Sequence, residues 1–243
     1  MLKFRNLIIM SVKALILAGG FGKRLRPLTE DKPKPLIQVG SKTIIEWQIE
    51  WLKRYGVTDI VLAVGYLRTK IFETIGDGSD YGVKIYYSVE KQPLGTGGAI
   101  KNAEKFLKDS KYIIVLNGDI ITNMDLKPLI ENLTSNIVGV IALVPMRSPY
   151  GIAVVDSDGY IANFEEKPVL NYLINAGVYA FTSEIFNYLP SRGDIETTAF
   201  PKLASEKKLK AVIYRDIYWK SIDTIKDVEE VEKVVESIFS TKS

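Results

Sequence analysis

The sequence predicts an α/β fold, a single Rossmann-like domain with a mixed, mainly parallel central sheet covered by helices on both faces. Three observations predict it. Short apolar runs alternate with helical spacings through the first half of the chain. Runs such as 12–18 and 112–116 are almost continuously apolar, as strands buried on both faces are. A βαβ succession of this kind then demands parallel pairing.

In order, residues 12–18 read as the first strand. Over 44–55, apolar residues recur at Ile45, Ile49 and Leu52, a helical spacing that Gly56 ends. Residues 60–64 are a second strand, and 67–75 a helix broken by Gly76-Asp77-Gly78. Residues 83–89 form a strand and 99–107 a helix. The buried strand 112–116 runs into Asn117-Gly118-Asp119. The second half is richer in β structure. Residues 137–144, 151–155 and 160–164 read as strands, the last two joined by a turn at Asp156-Ser157-Asp158-Gly159. Residues 178–181, 209–214 and 218–222 add more. Helices fit 183–188, 196–206 and 225–239, the last opened by a capping box of Thr224 and Asp227. No linker, repeat or low-complexity segment divides the chain, so 1–243 is one domain in two halves, 10–135 and 136–243. Residues 1–9 read as a dispensable extension.

Composition narrows the chemistry. A chain of 243 residues can bury one substantial core, and 47% hydrophobic with 25% charged residues is ordinary for a globular protein. Net charge is +3 with both signs mixed, so no basic face for nucleic acid is expected. There is no cysteine and no histidine. That excludes disulfides, thiolate nucleophiles, the usual zinc sites and histidine bases. A metal would be a hard cation on oxygen ligands, magnesium first. No apolar run reaches membrane-spanning length, and the one near the start is short for a signal peptide. The expectation is a cytoplasmic protein with no membrane or nucleic-acid partner. Oligomeric state stays open, a homo-oligomer included.

The most informative stretch is 15–39, LILAGGFGKRLRPLTEDKPKPLIQV. Bare backbone at Gly19, Gly20 and Gly22 lets a phosphate approach closely. Lys23, Arg24, Arg26, Lys32 and Lys34 follow as cations, so the loop reads as a polyphosphate cradle. It is not a P-loop, because Leu17 stands where a glycine is needed and Arg24 where Ser or Thr is. It is not a dinucleotide fingerprint, because Leu25 takes the third glycine's place. Ligands of open α/β sheets sit beyond the carboxyl ends of the strands. The glycine loop and Asp119 each follow a strand, so they should face one crevice. Asp119 is then a candidate metal ligand; the plain alternative is a turn residue after Gly118.

These residues resemble the signature of the sugar-nucleotide pyrophosphorylases, which couple a nucleoside triphosphate to a sugar 1-phosphate. The resemblance runs through Gly19–Thr29 and Pro33-Lys34-Pro35-Leu36, then PLGTGGA at 93–99, NGD at 117–119, EEKP at 165–168 and NAGVY at 175–179. It implies a GT-A-like nucleotidyltransferase fold, with 10–135 holding the nucleotide and 136–243 the sugar. Longer relatives append a left-handed β-helix, for which this chain ends too soon. It also implies Mg²⁺ as cofactor and these roles. Arg24, Lys34 and Asp119 are catalytic, Arg24 on the triphosphate and departing pyrophosphate, Lys34 on phosphate at the reaction centre. Leu17, Gly19, Gly20, Gly22, Lys23, Arg24, Glu90, Gly95 and Thr96 hold the nucleotide. Backbone at Gly95, Gly97 and Gly98 can approach a base edge; a mobile loop is the plain alternative. Tyr150, Gly151, Glu166, Lys167 and Asn175 hold the sugar phosphate, Lys167 on its phosphate, whereas Glu165 is solvent-facing or structural.

Asp119 is the family's first metal ligand. The second usually lies in a Trp-x-Asp-x-Gly pattern, whose direct register here selects Ser221. The spacing Trp-x-x-x-Asp-Thr of glucose-1-phosphate cytidylyltransferases selects Asp223, which we take; a cap for the last helix is the alternative. Ser221 and Asp223 share a strand face. The stretch 76–103 resembles heptose-1-phosphate guanylyltransferases. INAGVYAF and IETTAFPKLA resemble mannose-1-phosphate guanylyltransferases. The expected reaction is therefore guanylyl transfer from GTP to mannose 1-phosphate or a heptose 1-phosphate. Three alternatives stand beside it: a thymidylyl-, uridylyl- or cytidylyltransferase acting on glucose 1-phosphate, a non-catalytic regulatory subunit that binds sugar nucleotide, and a Rossmann dehydrogenase.

Overall fold

The computed structural model describes residues 12–240, so the extension read at 1–9 lies outside the described residues. The strands are β1 Val12–Leu17, β2 Gln38–Val39, β3 Lys42–Thr43, β4 Asp59–Val64, β5 Lys84–Val89, β6 Tyr112–Asn117 and β7 Ile120–Thr122. Then come β8 Gly139–Arg147, β9 Ile152–Val155, β10 Ile161–Glu165, β11 Val169–Phe181, β12 Leu209–Ile213 and β13 Trp219–Ser221. Seven of them form one sheet in the order β12-β8-β11-β6-β1-β4-β5. β1 pairs in parallel with β4 and β6, β4 with β5, and β8 with β12. Only β11 is reversed in this sheet, antiparallel to both β6 and β8. The sheet is therefore mixed and mainly parallel, as expected.

Why these strands lie at the centre follows from their alternation. Ala14 and Ile16 of β1 enter one core, and Leu15 enters the other, all without exposure to solvent. Ile114 and Leu116 of β6 likewise oppose Ile113 and Val115. A strand that buries both faces needs an apolar residue at every position, which is what these segments supply. The first core is covered by helix Ile44–Arg54, opened by a complete capping box of Thr43 and Glu46. The second is covered by helices Gly95–Asn102 and Ala199–Ser205.

Several elements differ from their sequence reading. The helix expected at 99–107 begins four residues earlier, at Gly95, and is interrupted at Ala103. Glycine disfavours a helix interior, but packing decides here. A Cβ on Gly97 would lie 3.0 Å from the Gly193 carbonyl, and one on Gly98 3.0 Å from the Ser191 carbonyl. The helix expected at 196–206 starts only at Ala199, because the Thr197 and Thr198 hydroxyls donate to the Asp194 carbonyl and hold a turn. Residues 183–187 form a 3-10 helix. The last helix divides into Ile225–Glu232 and Val235–Ser240; its capping box of Thr224 and Asp227 is present. β11 starts at Val169, well before 178, because its first half is largely exposed and carries no burial signal. β13 does not join the main sheet; it pairs antiparallel with β7, which the sequence reading left unassigned.

Candidate active site

β1 and β6 are adjacent and parallel, with Leu17 opposite Asn117. Both chains therefore leave the sheet at the same edge. The Gly118 N–H donates to the Leu17 carbonyl at 3.1 Å. A Cβ on Gly118 would lie 2.5 Å from that oxygen, so only glycine lets the two loops close on each other. Beyond this edge lies a cavity of about 350 Å³ lined by Leu17, Gly19, Gly20, Lys34, Glu90, Gly95, Thr96 and Asp119, among others. Eight of the residues singled out from the sequence thus surround one space.

Asp119 is fixed from two sides. Gln48, buried in helix Ile44–Arg54, donates its amide to the Asn117 and Ile120 carbonyls, both at 2.9 Å, and so clasps the turn. The Ile222 N–H donates to the Asp119 carbonyl at 2.9 Å. This last bond extends the β7–β13 ribbon, in which Ser221 stands opposite Ile120. The ribbon is what carries Asp223 to Asp119 across more than a hundred residues of sequence. Lys34 Nζ donates to Asp119 Oδ2 at 2.6 Å and to Asp223 Oδ1 at 3.2 Å. Arg24 reaches the same Asp223 oxygen at 3.5 Å, although its side chain is 79% exposed. Among the described residues, Ser221 touches this cluster through Asp223 alone. Its hydroxyl donates to Asp223 Oδ2 at 2.8 Å and orients that carboxylate.

Burial pushes the Asp223 carboxyl up, but the Ser221 hydroxyl and the charges of Lys34 and Arg24 outweigh it, leaving the group below the usual carboxylate range. The opposite holds for Glu90. Burial raises it, and only the Leu94 N–H, at 3.2 Å from Oε2, works against that. Its other oxygen lies over Gly19, 2.6 Å from where a Cβ would stand. Glu90 is thus a nine-tenths buried acid in the cavity wall with a single hydrogen bond from the described residues.

The glycines at 95, 97 and 98 lie in the first turn of helix Gly95–Asn102, which is stitched to the second half of the chain. Gly193 N–H donates to Leu94 O at 2.7 Å, and Gly98 N–H to Gly193 O at 3.0 Å. Thr96 donates to Glu196 Oε2 at 2.6 Å and, through its N–H, to Asp194 Oδ1 at 3.1 Å. Asp194, which lines the cavity, and Glu196 were missed in the sequence. The only signal was that Glu196 lies in the IETTAFPKLA stretch. Tyr179 donates to Glu196 Oε1 at 3.4 Å, and Asn175 donates to the Tyr179 hydroxyl at 2.9 Å. A hydrogen-bonded chain therefore joins Thr96 in the cavity wall to Asn175 on β11.

The remaining residues do not line the cavity. Gly22, at φ 60°, and Lys23 and Arg24 lie on the 3-10 turn after the glycine loop. Tyr150, Gly151, Glu166 and Lys167 sit at the base of the exposed β9–β10 hairpin, with Tyr150 76% exposed. Lys167 Nζ lies 3.5 Å from Glu166 Oε1. Its φ of 48° is in the left-handed region that few non-glycine residues adopt.

An open α/β sheet with a glycine loop, basic residues and paired carboxylates at its carboxyl edge defines a nucleotide-handling protein. The chain belongs to the Nucleotidyl transferase family, whose model matches residues 13–237. It is 41% identical over 226 residues to the mannose-1-phosphate guanyltransferase of Pichia angusta; the match takes in 89% of this chain and 62% of the relative. It is 40% identical over 203 residues to the D-glycero-alpha-D-manno-heptose 1-phosphate guanylyltransferase of Campylobacter jejuni, covering 82% of this chain and 89% of the relative. Among solved structures it is similar to HddC from Yersinia pseudotuberculosis complexed with GMP-PN. There the TM-score is 0.73 at 28% identity, over 93% of this chain and 100% of that one. The chain thus spans less than two thirds of the fungal relative's length.

Proposed function

We propose that this chain transfers a guanylyl group from GTP to the phosphate of mannose 1-phosphate or a heptose 1-phosphate and releases pyrophosphate. The observation that carries the choice of GTP is Glu90. A buried carboxylate accepts hydrogen bonds and, when ionised, donates none, and leaving it with one partner is costly. Guanine alone among the bases offers two neighbouring donors, N1–H and N2–H₂, on its pairing edge. Uracil and thymine offer one donor between two carbonyls, and cytosine and adenine a donor beside an acceptor. The names of the two relatives support the same reading.

The reaction needs no base, since a sugar phosphate is already an anionic nucleophile. Its difficulty is repulsion between anions, so positioning and cations do the work. The backbone at Gly19, Gly20 and Gly22 receives the triphosphate, and Lys23 and Arg24 hold its outer phosphates. Lys34 neutralises the reacting phosphate, and Lys167 holds the sugar phosphate in line with the leaving pyrophosphate. Tyr150, Gly151, Glu166 and Asn175 receive the sugar. Two hard carboxylates with an ammonium standing between them suit Mg²⁺, and Asp119 and Asp223 would hold it. When bound, it supplies further charge neutralisation at the phosphates.

Pyrophosphate release over a panel of triphosphates and sugar 1-phosphates tests this. The expected result is turnover with GTP and mannose 1-phosphate or a heptose 1-phosphate, at least about a hundredfold above UTP, dTTP or CTP with glucose 1-phosphate. A preference for UTP, dTTP or CTP would overturn the guanylyl assignment. Sugar-nucleotide binding with no turnover on any pair would make the chain a regulatory subunit.

A further inference from the structure

Lys34 occupies a position that phosphate binding alone does not explain. Its ammonium lies between the two candidate metal ligands, 2.6 Å from Asp119 and 3.2 Å from Asp223. Its side chain is 13% exposed, the least exposed of the four charged groups gathered there. The backbone is anchored by Pro33 and Pro35 at a short 3-10 turn whose Pro35 and Leu36 are buried. The Lys34 Cβ lies against the glycine loop, 3.1 Å from where a Cβ on Gly22 would stand. From this root a four-carbon stem with free torsions can serve the carboxylate pair or a phosphate at the loop. It cannot serve both fully at once.

The charges are balanced as they stand, two carboxylates against Lys34 and Arg24. A triphosphate arriving at the glycine loop draws both cations towards it. Two part-buried carboxylates are then left facing each other without compensation, an expensive arrangement. We propose that Lys34 is a tethered counter-ion: it holds the place of the divalent cation between Asp119 and Asp223 until a nucleotide draws it away, so that cation binding depends on nucleotide binding. This rests on the reading of Asp119 and Asp223 as metal ligands. It adds that the free protein excludes the cation by means of its own lysine. By linkage, the lysine strengthens the coupling between nucleotide and cation.

The test is Mn²⁺ binding to the nucleotide-free protein, followed by electron paramagnetic resonance, for wild type, Lys34→Met and Arg24→Met. Lys34→Met keeps the stem and removes the charge. It is expected to bind Mn²⁺ at least about tenfold more tightly than wild type, within the usual range of such couplings. The gain should vanish when Asp223→Asn is added. Arg24→Met should gain little, since its exposed guanidinium is screened by water. Mn²⁺ should raise the melting temperature of Lys34→Met more than that of wild type. A folded Lys34→Met that binds Mn²⁺ no better than wild type overturns the proposal, as does an equal gain in Arg24→Met. Asp223→Asn in the complex with a non-hydrolysable GTP analogue separates the two readings. Loss of Mn²⁺ there upholds the metal ligands even if the counter-ion role fails; unchanged Mn²⁺ binding there, with no gain in Lys34→Met, removes both.

Discussion

Replacing Asp119 by asparagine is expected to lower pyrophosphate release by about a thousandfold, ~4 kcal/mol of barrier. The reason is its double position. Asp119 is one of the two carboxylates that Lys34 bridges, and its backbone carbonyl closes the β7–β13 ribbon that delivers the other. The substitution keeps that carbonyl and the clasp of Gln48, so the geometry survives while the charge is lost. The fold should survive too. The Asp119 side chain is a quarter exposed and contributes nothing to either hydrophobic core. A melting temperature within about 3 °C of wild type would confirm that. A variant retaining a tenth of the wild-type rate would remove Asp119 from the reaction.

Glu90→Gln is expected to cut kcat/KM for GTP by about a hundredfold, ~2.7 kcal/mol, within the range of one bidentate base contact. It should raise kcat/KM for UTP and dTTP at the same time. Glutamine presents one donor and one acceptor where glutamate presents two acceptors. That matches the N3–H and O4 of uracil or thymine and sets an amide N–H against a guanine N–H. The substitution is nearly isosteric, so the close packing of this side chain over Gly19 is kept. Steady-state kinetics on the three triphosphates check it. Unchanged preference for GTP would show that Glu90 does not read the base.

The two predictions differ in how readable their residues were. Asp119 could be placed from the sequence, because β1 and β6 are buried runs whose ends must share one sheet edge. The glycine loop was legible for the same reason. Asp223 was a choice between two neighbours; the register of β13 on β7 brings it to Lys34, with Ser221 supporting it. No local pattern encodes that register, since both strands have three residues. The bridging of two carboxylates by Lys34 was illegible, because a loop's tertiary partners leave no periodicity. The seam of Thr96 with Asp194 and Glu196 was hidden by helix propensity, which extended a helix over threonines that hold a turn. Burial patterns recorded the sheet; contacts between its loops had to be seen.

The glycine loop and the carboxylate pair are expected to enclose one nucleotide and one cation. Crystals grown with Mn²⁺ and a non-hydrolysable GTP analogue test it directly through the anomalous signal of the metal. The expected result is an anomalous peak between Asp119 and Asp223, the phosphates over Gly19–Gly22, and guanine against Glu90. A nucleotide bound elsewhere, or a peak away from both carboxylates, would contradict it.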